Sequence, residues 1–174
     1  KSISALSSAR GFLHFDGNQS LLIVGERINP TGKKSFQQEL SEGKTSILRQ
    51  MALEQEKQGA SLLDLNVGQP GIDEVETIKK AISLLTTVSK LPLVIDSSRI
   101  EAIEAALRIY PGRMLINSIS GGKEKMKRLL PLAAKYGAMF ILLPLTDGEI
   151  PHTAKKRQSI IKHIFQAAKK YGFT

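Results

Sequence analysis

The sequence predicts an α/β fold built on a parallel sheet, and three observations support this. Short apolar segments alternate five times with longer amphipathic ones, which is the strand–helix order of such folds. The apolar segments are rich in Leu, Ile and Val with little polar alternation, as in strands buried on both faces. The nucleotide-binding motifs GxGxxG and GxxxxGK[ST], which are typical of open α/β sheets, are both missing from the sequence. A TIM-type barrel is therefore favoured over an open sheet.

Local patterns set the bounds of each element. The predicted strands are Leu21–Val24, Leu62–Val67, Leu91–Ile95, Met114–Ile116 and Ala138–Leu145. The predicted helices are Ser46–Lys57, Ile72–Val88, Arg99–Ile109, Lys123–Tyr136 and Thr153–Tyr171. Gly59 follows the first helix as a C-cap would, and Asp73 and Glu74 place carboxylates at the start of the second. The last helix is expected to bury Ile160, Ile161, Ile164, Phe165 and Ala168.

Chain length limits how much of a barrel is present. A (β/α)8 barrel needs about 250 residues, and this chain has 174. We therefore expect about the first five β-α units of a TIM-type barrel, within residues 21–174. Residues 1–20 are a Ser-rich lead-in with no predicted strand.

The composition is that of an ordinary globular protein, with 41% hydrophobic and 24% charged residues. No apolar run approaches the roughly 20 residues that span a bilayer, so no membrane association is expected. The chain has no cysteine, which excludes disulfides and thiolate-bound metals in this segment. A cytoplasmic location is the default expectation.

A net charge of +9 raises the alternative of a nucleic-acid-binding domain. Aromatic residues make up only 5% of the chain, so a platform for stacking bases is missing. The basic residues are spread along predicted helices, which favours solvated helix faces over a nucleic-acid partner. The excess charge also suits an anionic ligand.

Polar residues follow every predicted strand, at the carboxyl ends where α/β folds bind ligands. These residues are Glu26 and Asn29, Asp64 and Asn66, Asp96, Asn117 and Ser118, and Asp147. Any one of them could be a helix cap or a turn residue, and Asp147 in an Asp-Gly turn is the weakest candidate. Their recurrence after five strands in a row favours a binding rim.

The chemistry of this rim is restricted. The predicted strand ends carry no histidine, no cluster with metal-ligand spacing and no Ser-His pair, so neither a metal site nor nucleophilic catalysis is predicted. Carboxylates accept paired N–H bonds, and an amide both donates and accepts. The rim therefore suits a flat heterocycle rich in donors and acceptors, such as a 2-amino-4-oxo pterin.

The motifs themselves resemble a known family. The segment Ile23–Gly32 (IVGERINPTG) resembles the opening of the pterin-binding barrel of cobalamin-dependent methionine synthases. The segments Leu63–Gly68, Val94–Ser98, Ile116–Ser118 and Tyr136–Ala138 resemble the units that follow. The resemblance covers about residues 20–174. The segment before it, residues 1–20, resembles the linker from a preceding homocysteine-binding module of this family.

The resemblance implies a methyltransferase that moves the N5-methyl group of 5-methyltetrahydrofolate to cob(I)alamin in methionine biosynthesis. The cobalamin would sit on a partner module of the same polypeptide, and the barrel would need no metal. Matching positions imply that Asn117 contacts the N5 region and that Asp96 grips the pterin edge. Glu26, Asn29, Asp64, Asn66 and Ser118 are implied as further substrate contacts, and others would lie on later strands.

Two related enzymes remain as alternatives. A methyltetrahydrofolate:corrinoid protein methyltransferase would share the folate chemistry but use a different corrinoid partner. A dihydropteroate synthase is disfavoured, because its phosphate-bearing substrate calls for basic loop residues in a pattern that this sequence lacks.

Overall fold

A computed structural model describes residues 4–15, 17, 21–148 and 150–173. The chain divides into two compact units, Lys1–Leu115 and Ile116–Thr174. Each unit is described by itself below.

Seven strands and six helices are formed by the described residues. The strands are β1 Ser4–Ser7, β2 Phe12–Phe15, β3 Val24–Ile28, β4 Leu62–Leu65, β5 Leu93–Asp96, β6 Leu115–Ser120 and β7 Met139–Leu143. The helices are α1 Lys34–Ser41, α2 Ser46–Lys57, α3 Glu74–Val88, α4 Ile100–Ile109, α5 Lys123–Lys135 and α6 Ala154–Lys169. Strands β1 and β2 pair antiparallel, and the other five form one sheet in the order β3-β4-β5-β6-β7.

The predicted α/β fold with five strands in sequence order is confirmed. Strand β4 pairs parallel with β3 on one side and with β5 on the other, with Leu65 level with Ile28 and Ile95. All three of these residues are fully buried. Parallel strands buried on both faces account for the continuous apolar runs in the sequence.

The first predicted strand, Leu21–Val24, is wrong in its bounds. The strand of the structure is Val24–Ile28, and Leu21 and Ile23 are exposed before it. Gly25 and Ile28 are its buried positions, and the register against β4 shifts between them. The strand position is thus determined by pairing with β4 rather than by local apolar content, and Glu26 lies inside the strand instead of after it.

Helix α1 was not predicted. Its sequence, KSFQQELS, is mostly polar, and only Phe36 and Leu40 are buried apolar residues. Two apolar positions four residues apart give too weak a pattern for a helix of eight residues. The helix follows the turn at Pro30–Gly32, where Gly32 adopts a left-handed conformation with φ 73°.

Strands β1 and β2 form a hairpin in the segment predicted as a linker. Leu6 is fully buried, and the Ser7 backbone N–H donates to the Arg113 carbonyl at 3.1 Å. The Ser8 hydroxyl donates to the Lys90 carbonyl at 2.6 Å. Residues 4–15 therefore form a hairpin that packs within the first unit, where no strand was predicted, and their assignment to a linker stays a prediction. Residues 1–3, 16 and 18–20 of the predicted linker lie outside the described residues, and a preceding module stays a prediction.

In the second unit, α6 buries less than its pattern suggested. Ile164 and Ala168 are buried, but Ile161 and Phe165 are 41% and 44% exposed. The prediction that these two residues are buried is wrong for the described part of this unit. Periodicity identifies the apolar stripe of a helix, but the elements packed against that stripe determine how much of it is covered.

Tyr110 anchors the start of β5. Its hydroxyl oxygen accepts a hydrogen bond from the buried Leu93 backbone N–H at 3.0 Å. Burial raises the pKa of Tyr110 to about 12, while this hydrogen bond acts in the opposite direction. The neutral phenol is therefore the form that the fold favours.

We expect Tyr110→Phe to lower the unfolding free energy by about 1–3 kcal/mol, because the buried Leu93 N–H loses its acceptor. A pKa raised on folding gives stability that is complete below the unfolded value of about 10 and is lost as pH rises toward 12. Urea denaturation between pH 7 and 12 tests both points, with the partly exposed Tyr171→Phe as control. Equal stability and equal alkaline slopes for Tyr110→Phe and wild type would contradict this role.

A second prediction concerns the hairpin contact at Gly112. A Cβ atom at this position would overlap the carbonyl oxygen of Ser7 and lie 3.0 Å from the Ser8 Cα. Gly112→Ala should therefore displace the hairpin and cost about 1–3 kcal/mol. Gly148→Ala is the control, since its nearest neighbour would be 3.9 Å away. Limited proteolysis near residues 8–11 should accelerate only in Gly112→Ala, and equal cleavage rates would refute the docking.

Candidate functional site

A polar cavity lies at the carboxyl ends of β4 and β5 in the first unit. Its volume is about 380 Å³, and its lining residues are Asn66, Gly68, Gln69, Glu74, Asp96, Ser97 and Ser98. The lining contains amides, hydroxyls and carboxylates but no lysine, arginine or histidine. Two of the predicted site residues, Asn66 and Asp96, line it together.

The register of the sheet brings these residues to one level. Ile28, Leu65 and Ile95 are aligned across β3, β4 and β5. The next residues along the chain are Asn29, Asn66 and Asp96. Since parallel strands leave a sheet at the same edge, three polar residues emerge together above a fully buried apolar layer.

Asn66 and Asp96 are joined directly. The Asn66 side-chain Nδ2 donates to Asp96 Oδ2 at 2.9 Å. The Asn66 Oδ1 accepts from the Gly68 backbone N–H at 2.9 Å, and the Asn66 backbone N–H donates to the Ile28 carbonyl at 3.0 Å. Within the described part of the chain, no hydrogen bond to the other Asp96 oxygen, Oδ1, is found, so this oxygen is available to a ligand.

Glu74 is a site residue that the sequence did not single out. It is the first residue of α3, is only 7% exposed, and accepts a hydrogen bond from the Ser97 hydroxyl at 2.5 Å. Asp73 caps the same helix by accepting from the Val75 and Glu76 backbone N–H groups. The sequence did contain one signal for this role, the pair of successive carboxylates Asp73 and Glu74. One carboxylate is enough to cap the helix, so the other can turn toward the cavity.

Gln69 was also missed. Its Nε2 donates to the Gln37 carbonyl at 2.8 Å and to the Ser41 hydroxyl at 2.9 Å, which ties the β4–α3 loop to α1. Its Oε1 is buried and has no hydrogen-bond partner among the described residues. A loop glutamine carries no sequence signal for such a role, since it depends on α1, which was itself not predicted.

The remaining predicted residues of the first unit have different environments. Glu26 is exposed within β3. Asn29 follows β3 and its Oδ1 accepts from the Thr31 backbone N–H at 2.9 Å, so it shapes the turn into α1. Asp64 is 1% exposed within β4 and lies two residues before Asn66, which places both on the same face of the strand.

Asn117 and Ser118 lie in the second unit. Both are half-buried on β6, and the peptide bond between them is cis. Asp147 accepts from the Lys123 backbone N–H at 3.3 Å, so it serves the start of α5. The predicted convergence of Asn117 with Asp96 joins residues of the two units and stays a prediction.

Within residues 4–15, 17, 21–148 and 150–173, no group of three or more His, Cys, Asp or Glu residues is arranged to hold a metal ion. No helix in that same part of the chain has the length and apolar character to cross a membrane.

The fold and cavity together define a class, namely an α/β chain of TIM-barrel type with a polar cavity at its strand ends. Residues 25–172 match the family described as pterin binding enzyme. The chain belongs to this family.

Curated relatives narrow the comparison. The chain is 31% identical over 168 residues to the methionine synthase of Mycobacterium tuberculosis and 30% identical to that of Mycobacterium leprae. It is 30% identical over 159 residues to the methylcorrinoid:tetrahydrofolate methyltransferase of Eubacterium limosum. These alignments cover 94%, 94% and 88% of this chain. The chain spans 14% of the length of each methionine synthase and 57% of that of the third relative.

Solved structures support the fold. Dihydropteroate synthase from Clostridium difficile matches 92% of this chain with a TM-score of 0.67 at 18% identity. The Xanthomonas albilineans enzyme with 4-aminobenzoic acid matches 100% of this chain with a TM-score of 0.65 at 22% identity. The chain covers 63% and 62% of these two structures.

Proposed function

We propose that this chain binds 5-methyltetrahydrofolate and presents its N5-methyl group to cob(I)alamin, as the folate module of a methionine synthase. The observation that carries the proposal is the Asn66–Asp96 pair in the strand-end cavity of a pterin-binding family member. Similarity to two methionine synthases supports this activity within the family.

Pterin recognition would use the carboxylate of Asp96. A 2-amino-4-oxo pterin offers adjacent N–H donors along one edge, which match a carboxylate with a free oxygen. Asp96 lines the cavity, and one of its carboxylate oxygens is held by Asn66. Glu74, Ser97 and Ser98 supply further polar groups to the same cavity.

The reaction transfers a methyl group as a cation equivalent. The N5–CH₃ bond breaks and leaves its electron pair on N5, while cob(I)alamin supplies both electrons of the new cobalt–carbon bond. N5 is a poor leaving group unless it gains a proton or positive character. A donor close to N5 would assist this step, and we assign that role to Asn117, with Ser118 beside it on β6.

The proposed reaction needs other modules. The methionine synthases that resemble this chain are several times longer, because the chain spans only 14% of each. A cobalamin-binding module and a homocysteine-binding module of the same polypeptide are the partners we propose, in the cytoplasm. Cobalamin would be held by its own module rather than by residues of this chain.

A second candidate is favoured by one specific comparison. The Eubacterium limosum methylcorrinoid:tetrahydrofolate methyltransferase is 30% identical, and the chain spans 57% of its length. In that alternative the corrinoid belongs to a separate protein. Methyl transfer to free cob(I)alamin would support both readings, whereas a fused homocysteine module with zinc ligands in the full-length protein would select methionine synthase.

Asp96→Asn should weaken methyltetrahydrofolate binding by about tenfold to a hundredfold, because a charge-assisted bond contributes about 1.5–3 kcal/mol. Isothermal titration with this chain, and with the chain extended to eight β-α units, gives the dissociation constants. Lys80→Ala, an exposed residue of α3, is the control. Unchanged affinity in Asp96→Asn would remove this residue from the site.

Asn117→Ala should instead act on the rate. A donor whose interaction strengthens as charge develops on N5 stabilises the transition state more than the bound substrate, and its loss typically costs about 10²–10³ in rate. Single-turnover transfer to cob(I)alamin measures this, with exposed Lys155→Ala and Lys156→Ala as controls. A variant that kept more than about half of the wild-type rate would exclude the role.

A further inference from the structure

We infer that Asn66 is a positioning residue that acts on the ligand through Asp96 rather than by contacting the pterin itself. This inference rests on the proposed function, because it assigns a role within the same cavity. It reassigns a residue that the sequence resemblance implied to be a direct substrate contact.

The hydrogen bonds of Asn66 are directed at the protein. Its Nδ2 donates to Asp96 Oδ2 at 2.9 Å, and its Oδ1 accepts from the Gly68 N–H at 2.9 Å. Its backbone N–H is bonded to the Ile28 carbonyl at 3.0 Å. Asn66 thus links β3, β5 and the β4–α3 loop, and both polar atoms of its side chain already have protein partners.

Asp96 needs such a partner because of the shape of the ligand. The terminal torsion of an aspartate is broad, so a carboxylate without a partner samples many planes. A flat ring edge can form two parallel hydrogen bonds only with a carboxylate held close to its own plane. The Asn66 donor restricts that rotation by fixing Oδ2, while Oδ1 remains available.

A second anchor holds the backbone directly after Asp96. The Ser97 hydroxyl donates to the buried Glu74 carboxylate and accepts from the Arg99 N–H at 3.0 Å. Helix α3 therefore fixes the turn that leaves β5, while Asn66 fixes the side chain. Of these contacts among the described residues, only the hydrogen bond from Asn66 reaches the Asp96 carboxylate itself.

The experiment uses Asn66→Asp and Asn66→Ala. Asn66→Asp keeps the oxygen that accepts from Gly68 but replaces the amide donor with a second carboxylate beside Asp96. Two carboxylates at hydrogen-bond distance cannot both ionise easily, so the pair retains a proton at low pH. The protonated carboxyl then supplies the O–H donor that replaces the amide.

We expect Asn66→Asp to bind methyltetrahydrofolate at least tenfold more weakly than wild type at pH 8 and to recover most of this loss at pH 5. Asn66→Ala should lose about tenfold at both values. In the Asp96→Ala background, Asn66→Ala should weaken binding by less than twofold further, because its target is gone. Gln50→Glu is the matched control, since Gln50 also donates its amide to a carboxylate, Glu54, on the exposed surface of α2.

Additive effects of Asn66→Ala and Asp96→Ala would overturn the inference and make Asn66 a direct contact. A failure of wild type to bind methyltetrahydrofolate would instead reject the proposed function. Thermal unfolding without ligand would then still test the positioning role of Asn66. Asn66→Asp should lower the unfolding midpoint more at pH 8 than at pH 5, and this difference should vanish in the Asp96→Ala background. A pH-independent midpoint shift would overturn the positioning role.

Discussion

The parallel register of β4 against β3 and β5 is the constraint on which the first unit depends. It aligns Ile28, Leu65 and Ile95 in a fully buried layer, so the polar residues that follow them leave the sheet at the same edge. A shift of one residue in β4 would turn Asn66 to the opposite face and would also take Leu65 out of the layer that it forms with Ile28 and Ile95. The buried apolar layer and the polar cavity therefore depend on the same register, so the packing of the core also determines where Asn66 and Asp96 lie.

Strands such as β4 and β5 were predictable because their signal is local, whereas the missed features depend on distant partners. The segment Leu62–Leu65 is apolar except for Asp64, and it indicates a buried strand without knowledge of its neighbours. Strand β3 is different, because its position is determined by pairing with β4. The apolar residues Ile23, just before it, and Val24, at its start, suggested a buried strand but are exposed. The hairpin depends on contacts with Arg113 and Lys90, more than eighty residues away in sequence.

The same distinction separates the predicted from the missed site residues. Asp96 ends the apolar strand β5 and Asn66 directly follows β4, so their place at the strand ends could be predicted. Glu74 begins a helix, where a carboxylate has an ordinary explanation in the helix dipole. Only the structure shows that Asp73 performs the capping and that Glu74 is buried against Ser97. A residue with a sufficient local explanation gives only a weak sequence signal for a second role, which for Glu74 was the neighbouring carboxylate of Asp73.

The composition of the cavity also restricts how it could assist methyl transfer. Its lining offers the carboxylates of Asp96 and Glu74 with amides and hydroxyls, and none of its residues is a lysine, arginine or histidine. Such a lining has no cationic acid to deliver a proton to N5. It can nevertheless favour positive charge on the bound pterin, because carboxylates in a partly desolvated site stabilise a nearby cation. The proton itself would then come from solvent, with Asn117 acting as a hydrogen-bonding partner of N5 rather than as its acid.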